Sequence, residues 1–415
     1  MNILKILKDY RLFEILVLGI ISGMPLAVIF STLSFCLTEN HVPISIITTF
    51  VIARLPYSLK PLWAPIMDHF RVPILGRLGH RKSWIILCVA LMSLIFFLIS
   101  KVSIESSIFT LYILTISLGF VSATLDINVD AFRIERFDES TQAIAVASAI
   151  LGYRLGMLLT GAGALYFAHI TNSWPQTFFV ISCILAFSMI FILTLKEQEI
   201  NREKINVFST KSLMNMVINP FKDFFSRENS IIILLAIIFF KLGDAMLGVV
   251  SGPFYLKLGF TKEDIATGVK LFGVIATLLG TSAGGLVIYR LGNFKGLIIT
   301  GIAQSLTHIA FIWLNHQGPN FNSLLIAIAI ENFACGMGAA ALAGYLASLC
   351  NKKYPATQYS LLVSSATLCN NTITAYGGRL VEMLDWDLFF ILTIIMALPG
   401  LALIIYLDRK VQKRL

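Results

Sequence analysis

The sequence predicts an all-α membrane protein with 12 transmembrane helices in two six-helix halves. Of its 415 residues, 57% are hydrophobic and only 13% are charged, and the mean hydropathy is +0.82. Charged residues make up about a quarter of a typical soluble domain. Apolar segments of roughly 20 residues, the length of an α-helix that crosses a bilayer core, recur along the whole chain and are separated by short polar turns.

The apolar segments fall into two groups of six. Their expected bounds are residues 12–35, 44–63, 83–100, 108–130, 141–168, 176–195, 230–256, 264–288, 296–315, 322–349, 358–382 and 386–407. The longest polar stretch, 196–229, is a predicted cytoplasmic linker between a bundle at 1–195 and a bundle at 230–415. GRLGHRK follows the second segment and YRLGNFK follows the eighth, so a motif recurs at the same place in each half. Two parallel six-helix repeats are typical of the major facilitator fold.

Lys and Arg are divided unevenly between the two sets of loops. If the N-terminus and every second loop lie on one side, that side holds most of the 32 Lys and Arg, and the other side holds Lys101, Lys257 and Lys262. The basic side is the cytoplasmic one, so both termini are predicted to be cytoplasmic. The net charge of +9 is therefore a topology signal, and no nucleic-acid partner is expected.

The first copy of the repeated motif contains candidate gate residues. In APIMDHFRVPILGRLGHRKSW, an acidic side chain at a helix end precedes two glycines, which permit tight turns, and several cations. Asp68, Arg77, Gly79 and Arg81 are predicted to bind across a cytoplasmic gate. The alternative is that the cations only anchor the loop on the cytoplasmic side.

Two aspartates end the fourth segment, in SATLDINVDAF. An ionised side chain at mid-bilayer costs about 2.5 to 3.5 kcal/mol on insertion scales, so such a residue usually faces a cavity or a partner. Asp126 and Asp130 are four residues apart and lie on one helix face, whereas Asn128 points elsewhere. Asp126 and Asp130 are candidate proton-coupling residues, or else structural partners of Arg133 and Arg136.

Polar residues also interrupt other apolar segments. Lys241 and Asp244 are three residues apart in the seventh segment and are close enough to form an ion pair, which could be functional or purely structural. Glu331 lies in the tenth segment without a cation nearby in its own helix; an isolated carboxylate of this kind suits a proton carrier. Three further candidates within apolar segments are Arg54, Arg154 and Asn332.

The chain carries none of the motifs of membrane enzymes or pumps. Its six cysteines are scattered and none forms a CxxC pair, which argues against a metal cluster. No nucleotide-binding loop or catalytic triad is recognisable. Neither a cofactor nor enzymatic activity is expected.

The motifs SGMPL, LWAPIMD, LDINVDAFRIE, LGYRLGM, KLGDA, ENFACGMG and LCNKKYPATQYSLL together resemble the AmpG-type muropeptide permeases, a branch of the major facilitator superfamily. The resemblance covers essentially the whole chain. It implies proton-driven import of 1,6-anhydro-muropeptides, GlcNAc-anhydroMurNAc bearing a short peptide, across the bacterial inner membrane for peptidoglycan recycling. One departure is Leu125, where the family usually has glutamine.

The charged and polar residues inside the apolar segments are the candidates for two roles. Expected proton-coupling residues are Asp126, Asp130, Asp244 and Glu331, and expected substrate-binding residues are Arg54, Asn128, Arg154, Lys241 and Asn332. The arginines suit substrate carboxylates because a planar guanidinium can bind them bidentately. Muropeptide, protons and membrane lipids are the expected partners of a monomer. Two alternatives remain: a related transporter of another solute, such as an acyl-CoA, oligopeptide or drug, and a transport-inactive sensor or assembly factor.

Overall fold

A computed structural model describes residues 9–42, 44–197, 210–261, 264–374 and 376–412. Every regular element in these ranges is a helix. The α-helices before residue 198 are α1 (Tyr10–Ala27), α2 (Leu33–Glu39), α3 (Ile44–Thr49), α4 (Leu55–Leu59), α5 (Ala64–His69), α6 (His80–Ile99), α7 (Ile104–Arg136), α8 (Glu139–Thr160), α9 (Ala162–Thr171) and α10 (Trp174–Thr194). Those that follow are α11 (Thr210–Phe225), α12 (Ser230–Lys257), α13 (Gly273–Leu291), α14 (Asn293–Thr307), α15 (Ile309–Gln317), α16 (Phe321–Leu349), α17 (Pro355–Thr374) and α18 (Gly377–Gln412).

Within the described ranges, 10 helical stretches are long and apolar enough to span a membrane. They are Tyr10–Ala27, His80–Ile99, Ser107–Arg136, Thr141–Thr171, Trp174–Thr194, Ser230–Lys257, Thr267–Leu291, Asn293–Gln317, Phe321–Leu349 and Gly377–Arg409. Large apolar side chains on these helices, such as Phe109 and Phe187, are more than two-thirds exposed. Apolar surface of this kind is suited to contact with lipid.

The two remaining predicted segments are helical but differ from a single apolar helix. Residues 44–63 form α3, a 3₁₀ turn at Phe50–Arg54, α4 and another 3₁₀ turn at Lys60–Leu62. Pro56 and Pro61 lie in this segment, and proline removes a backbone donor and interrupts the helical ladder. In place of 358–382, α17 ends at Thr374; its sequence, PATQYSLLVSSATLCNNTIT, is too polar to resemble the other spans.

The chain divides into two compact units. The first takes in the described residues of Met1–Phe137, Ser148–Phe221 and Cys350–Leu361. The second takes in those of Asp138–Ala147, Lys222–Leu349 and Leu362–Leu415.

In the first unit, α1 and α8 approach closely through glycines. A methyl group built on Gly152 would lie 2.0 Å from the carbonyl oxygen of Leu16, and one built on Gly156 would lie 2.1 Å from that of Ile20. No larger residue fits at either position without moving the backbone. Small residues spaced four apart allow this close helix packing in membranes.

The second unit has an aromatic core between α12, α15 and α18. Phe254 is fully buried, and its ring centroid lies 4.9 Å from those of both Trp386 and Phe390. Phe311 lies 5.6 Å from Phe390. Large aromatic rings contribute strongly to packing, and here they join three helices at one level.

Each unit contains one copy of the repeated loop motif, and both copies have the same backbone feature. Gly79 has φ +132° and immediately precedes α6, and Gly292 has φ +79° and immediately precedes α14. Their ψ values, 160° and 170°, place both in a region that is essentially restricted to glycine. The two glycines of the sequence repeat therefore form equivalent turns.

Candidate functional site

Asp126 is the centre of a polar cluster in the first unit. Its Oδ2 accepts a hydrogen bond from Lys60 Nζ at 2.8 Å, and both side chains are largely buried. The Ser22 hydroxyl donates to Oδ1 of the same carboxylate. Asp126 thus has a cation and a hydroxyl group as partners, brought together from α7, α1 and the short helices of residues 44–63.

A cavity of about 240 Å³ lies beside this cluster. Asp126 and Asp130 both line it, together with Ser22 and Tyr153, which agrees with the face predicted from their spacing. Asp130 also binds Arg133, with 3.1 Å between Oδ1 and Nη2. Asp130 therefore has both of the features weighed from sequence, a place in the cavity wall and an arginine partner.

The other substrate-binding candidates of the first unit do not all join this cluster. Asn128 is fully buried and its amide donates to the backbone oxygen of Thr124 at 2.9 Å, so it packs within the protein. Arg54 ends the 3₁₀ turn at Phe50–Arg54 and is half-buried, as is Arg154 on α8. Arg154 directly follows Tyr153 of the cavity wall.

Asp244 is the centre of a second cluster, in the second unit. Its Oδ2 accepts from Lys241 Nζ at 3.1 Å, which confirms the predicted ion pair. The same oxygen accepts from the Gln304 amide and lies 3.5 Å from Cys335 Sγ. His308 Nε2 lies 3.5 Å from the other oxygen, Oδ1. Residues from α12, α14 and α16 therefore meet at one carboxylate.

Glu331 and Asn332 form a short chain of hydrogen bonds on α16. The Asn332 amide donates to Glu331 Oε2 at 2.8 Å, and Thr277 Oγ1 donates to Asn332 Oδ1 at 2.9 Å. Glu331 thus has a neutral hydrogen-bond donor as a partner. A carboxylate with neutral partners can exchange a proton without breaking an ion pair.

The predicted gate residue Asp68, at the end of α5, lies in a buried charge network. Arg81 donates to Asp68 Oδ1 at 2.6 Å through Nη2 and to Glu135 Oε1 at 2.8 Å through Nε. Asp68 and Arg81 are 1% and 0% exposed. Two carboxylates therefore share one desolvated guanidinium.

Asp68 also caps the N-terminus of α17. Its oxygens accept from the backbone N–H groups of Ala356 at 3.1 Å and Thr357 at 2.9 Å, and from the Thr357 hydroxyl at 2.6 Å. A carboxylate is stabilised at a helix N-terminus by the free N–H groups and by the helix dipole. Pro355 begins the helix, a position where proline needs no donor.

Gly79 and Arg77 have different environments in the loop before α6. Glu197 accepts from the backbone N–H groups of His80, Arg81 and Lys82 at 2.9, 2.9 and 3.1 Å. A methyl group on Gly79 would lie 2.3 Å from Glu197 Oε2, so a larger residue would displace this carboxylate from the start of α6. Arg77 is exposed on the 3₁₀ turn at Leu75–Leu78.

Comparison with known proteins identifies the family. The profile of the Major Facilitator Superfamily matches residues 15–373. The chain belongs to this superfamily. It is 62% identical to the AmpG 4 protein of Rickettsia felis over 413 residues, 99% of this chain and 100% of that protein. It is 30% identical to the anhydromuropeptide permease of Escherichia coli K12 over 403 residues, 97% of this chain and 80% of that protein. The chain is thus an AmpG-type permease, a multi-pass membrane transporter and not an enzyme.

Solved structures show the same major facilitator fold. The fucose:proton symporter of Escherichia coli has a TM-score of 0.69 at 11% identity, and the alignment covers 96% of this chain and 98% of that one. A bacterial homologue of the iron transporter ferroportin has a TM-score of 0.66 at 14% identity, covering 96% and 99%. The fold class predicted from the sequence is confirmed.

Several residues of the polar clusters in this AmpG-type permease were not predicted as site residues from the sequence. Lys60 and His308 are polar residues inside predicted apolar segments, so the criterion applied to Asp126 could have found them. Glu197 and Gln304 carry no such signal, because Glu197 lies in a polar stretch and glutamine is uncharged. Their contacts depend on how the helices pack.

Proposed function

We propose that this permease imports anhydro-muropeptides, GlcNAc-1,6-anhydroMurNAc-peptides, across the bacterial inner membrane together with protons, for peptidoglycan recycling. The named substrate of the Escherichia coli relative, which aligns with 97% of this chain, supports this cargo. The single observation that carries the coupling is that each unit holds a membrane-embedded carboxylate bound to a lysine: Asp126 with Lys60, and Asp244 with Lys241.

Such pairs offer a physical route to proton coupling. A carboxylate in an apolar surrounding needs a cation or a proton to offset its charge. When a carboxylate of the substrate peptide binds the lysine, Asp126 or Asp244 loses part of its compensation and gains affinity for a proton. Asp130, which lines the same cavity as Asp126, and Glu331 are the further proton-coupling residues of this proposal.

Cations and amides are proposed to bind the cargo. Arg54, Arg154 and Lys241 would offset its carboxylates, and Asn332 would bind its polar groups. Asn128 stays in the proposal only as a support of α7, because its side chain is buried and bonded to the backbone. Leu125 is fully buried and is not among the residues that line the cavity beside Asp126, and a transporter of another solute remains the alternative.

The buried pair of Asp68 and Arg81, together with Gly79 immediately before α6, is the proposed cytoplasmic gate. Opening would separate Asp68 from the first turn of α17, and the energy would depend on how well water replaces the lost hydrogen bonds. Removing one partner of a buried ion pair leaves an uncompensated charge at a cost of about 3 to 5 kcal/mol, so the gate opens only where water reaches both Asp68 and Arg81. Arg77, exposed beside the network, is proposed to hold the loop at the lipid headgroups.

Uptake into proteoliposomes tests the proposal. Purified permease is reconstituted, and accumulation of labelled anhydro-muropeptide is measured with and without an inward proton gradient. Accumulation that an uncoupler abolishes is expected. Gradient-independent equilibration would refute proton coupling, uptake restricted to another solute would refute the cargo, and binding without any uptake would indicate a transport-inactive sensor. The same preparation, cross-linked in the membrane, tests whether the permease is a monomer.

A further inference from the structure

His308 is a buried histidine that the proposed transport roles do not use. It lies between α14 and α15 in the second unit and is 1% exposed. Its Nδ1 lies 2.8 Å from Thr393 Oγ1 on α18, and its Nε2 lies 3.5 Å from Asp244 Oδ1 on α12. The imidazole thus connects a neutral hydroxyl group to the central carboxylate of the second cluster.

The hydroxyl of Thr393 has two acceptors within reach, the backbone oxygen of Phe390 and Nδ1 of His308. The Thr393 hydroxyl donates its single hydrogen to the backbone oxygen of Phe390 at 2.7 Å. In this arrangement its oxygen can only accept, and the hydrogen in the Thr393–His308 bond belongs to Nδ1. In a neutral imidazole only one nitrogen carries hydrogen, and Nε2 of His308 would therefore be a bare acceptor.

A bare Nε2 is incompatible with the atom that it faces. Oδ2 of Asp244 already accepts from Lys241, Gln304 and Cys335. Oδ1 faces Nε2, and among the described residues no donor to Nε2 is found. Two acceptors would then be buried against each other, and leaving buried acceptors unsatisfied costs about 1 to 3 kcal/mol. One additional proton between them removes this conflict.

We propose that Asp244 and His308 form a proton-binding pair, which holds one proton between Asp244 Oδ1 and His308 Nε2. The proton resides on the ring as an imidazolium or on the carboxyl group as an acid. In either form one atom donates and the other accepts. The proton enters from water and returns to water. Only an N–H or O–H bond forms and breaks.

The charges around the pair connect proton binding to the cargo, a step that rests on the proposed function. Lys241 faces Asp244 from α12, and Glu331 and Cys335 face it from α16. The groups that face the pair from α14 and α18, Gln304 and Thr393, are uncharged. When a substrate carboxylate takes Lys241, the proton of the pair becomes the main compensation for Asp244. Cargo and proton are therefore bound together, which is the requirement for symport.

Nitrogen NMR of histidine-labelled permease in lipid nanodiscs tests the pair without substrate. The signal of His308 is assigned by its loss in His308→Gln. At neutral pH we expect either an imidazolium, or a neutral ring with hydrogen on Nδ1 together with an infrared carboxylic-acid band that Asp244→Asn removes. A neutral ring with hydrogen on Nε2 would overturn the proposal, and so would a neutral ring without the acid band.

Two further variants sharpen the test. Thr393→Val removes the acceptor for Nδ1 and frees the ring to place its hydrogen on Nε2, so loss of the additional proton is expected; retention of that proton would contradict the argument. His316→Gln is the matched control, because His316 is exposed and binds Asp387, and it should leave the His308 signal unchanged.

The spectra and the uptake assay fail independently. A protonated pair in a permease whose uptake ignores the proton gradient would refute the proposed coupling but not the pair. An unprotonated pair in a permease with gradient-driven uptake would refute the pair alone.

Discussion

At the scale of the residue, the membrane-embedded carboxylates differ in how they are compensated. Asp126 and Asp244 each bind a lysine, whereas Glu331 binds a neutral amide. An ionised side chain at mid-bilayer depth raises the free energy of the folded protein. A cation in direct contact offsets most of this cost, but only while it stays in place. Asp126 and Asp244 are therefore suited to change protonation when the lysine moves, and Glu331 can do so without breaking an ion pair.

Neutralising Asp126 or Glu331 is expected to abolish gradient-driven accumulation. Asp126→Asn and Glu331→Gln keep the size of the side chain but cannot exchange a proton, so binding and counterflow of labelled muropeptide should persist. The measurement is accumulation and counterflow in the same proteoliposomes. Glu382→Gln, an exposed glutamate, is the control and should accumulate normally; normal accumulation in both test variants would remove these carboxylates from the mechanism.

Substitution of Gly79 is expected to destabilise the protein more than substitution of its counterpart in the repeat. Gly79→Ala and Gly292→Ala place a side chain at a glycine-restricted backbone conformation, which costs about 1 to 3 kcal/mol. Only the methyl group at Gly79 also meets Glu197, at 2.3 Å; nothing lies within 4 Å of the one at Gly292.

Denaturant unfolding in detergent micelles measures this difference as a difference in the free energy of unfolding. Equal losses in the two variants would show that the contact between Glu197 and the start of α6 contributes nothing to stability.

At the scale of the element, α17 begins at a buried carboxylate. The first turn of a helix has unpaired N–H groups, and Asp68 binds two of them together with the Thr357 hydroxyl. Arg81 and Glu135 hold Asp68 in this position. The start of α17 and the first turn of α6 are therefore stabilised as one network.

A double-mutant cycle should show coupling between Asp68 and Thr357. Thr357→Val removes a hydrogen bond to a charged group, worth about 1.5 to 3 kcal/mol. In an Asp68→Asn background the same change should cost less, because the acceptor has lost its charge. The free energy of unfolding of the four proteins measures the coupling.

Thr367→Val is the matched control for the cycle, since the Thr367 hydroxyl is exposed and bonds within α17 to the Val363 oxygen. Its effect on the free energy of unfolding should simply add to the effect of Asp68→Asn. Strict additivity for Thr357 as well would contradict a shared network.

At the scale of the whole molecule, the loops and termini are expected to follow the distribution of Lys and Arg. The membrane-spanning stretches are apolar, whereas most basic residues lie outside them. Basic loops are retained on the cytoplasmic side. The N-terminus, the C-terminus and residues 196–229 are accordingly predicted on that side.

Protease protection tests this topology. Epitope tags at either terminus should be cleaved in inside-out vesicles and protected in right-side-out vesicles. A tag inserted at Gly318, between α15 and α16, is the control and should show the opposite pattern. Cleavage of a terminal tag in right-side-out vesicles would reverse the predicted orientation.

The sequence by itself determined the class of the protein and the position of ten of its twelve predicted segments, because hydropathy and segment length are local properties. It also determined which residues of one helix share a face. Asp126 with Asp130, and Lys241 with Asp244, lie together as their spacing requires.

Only the tertiary structure decided the contacts between helices. Lys60 and Asp126 are 66 residues apart, and Asp68 and Thr357 are 289 residues apart. His308 meets Asp244 only because α12, α14 and α18 pack at that level. Such contacts depend on how the helices pack, including where glycines let two helices come close. A local sequence pattern does not specify the distance between two helices.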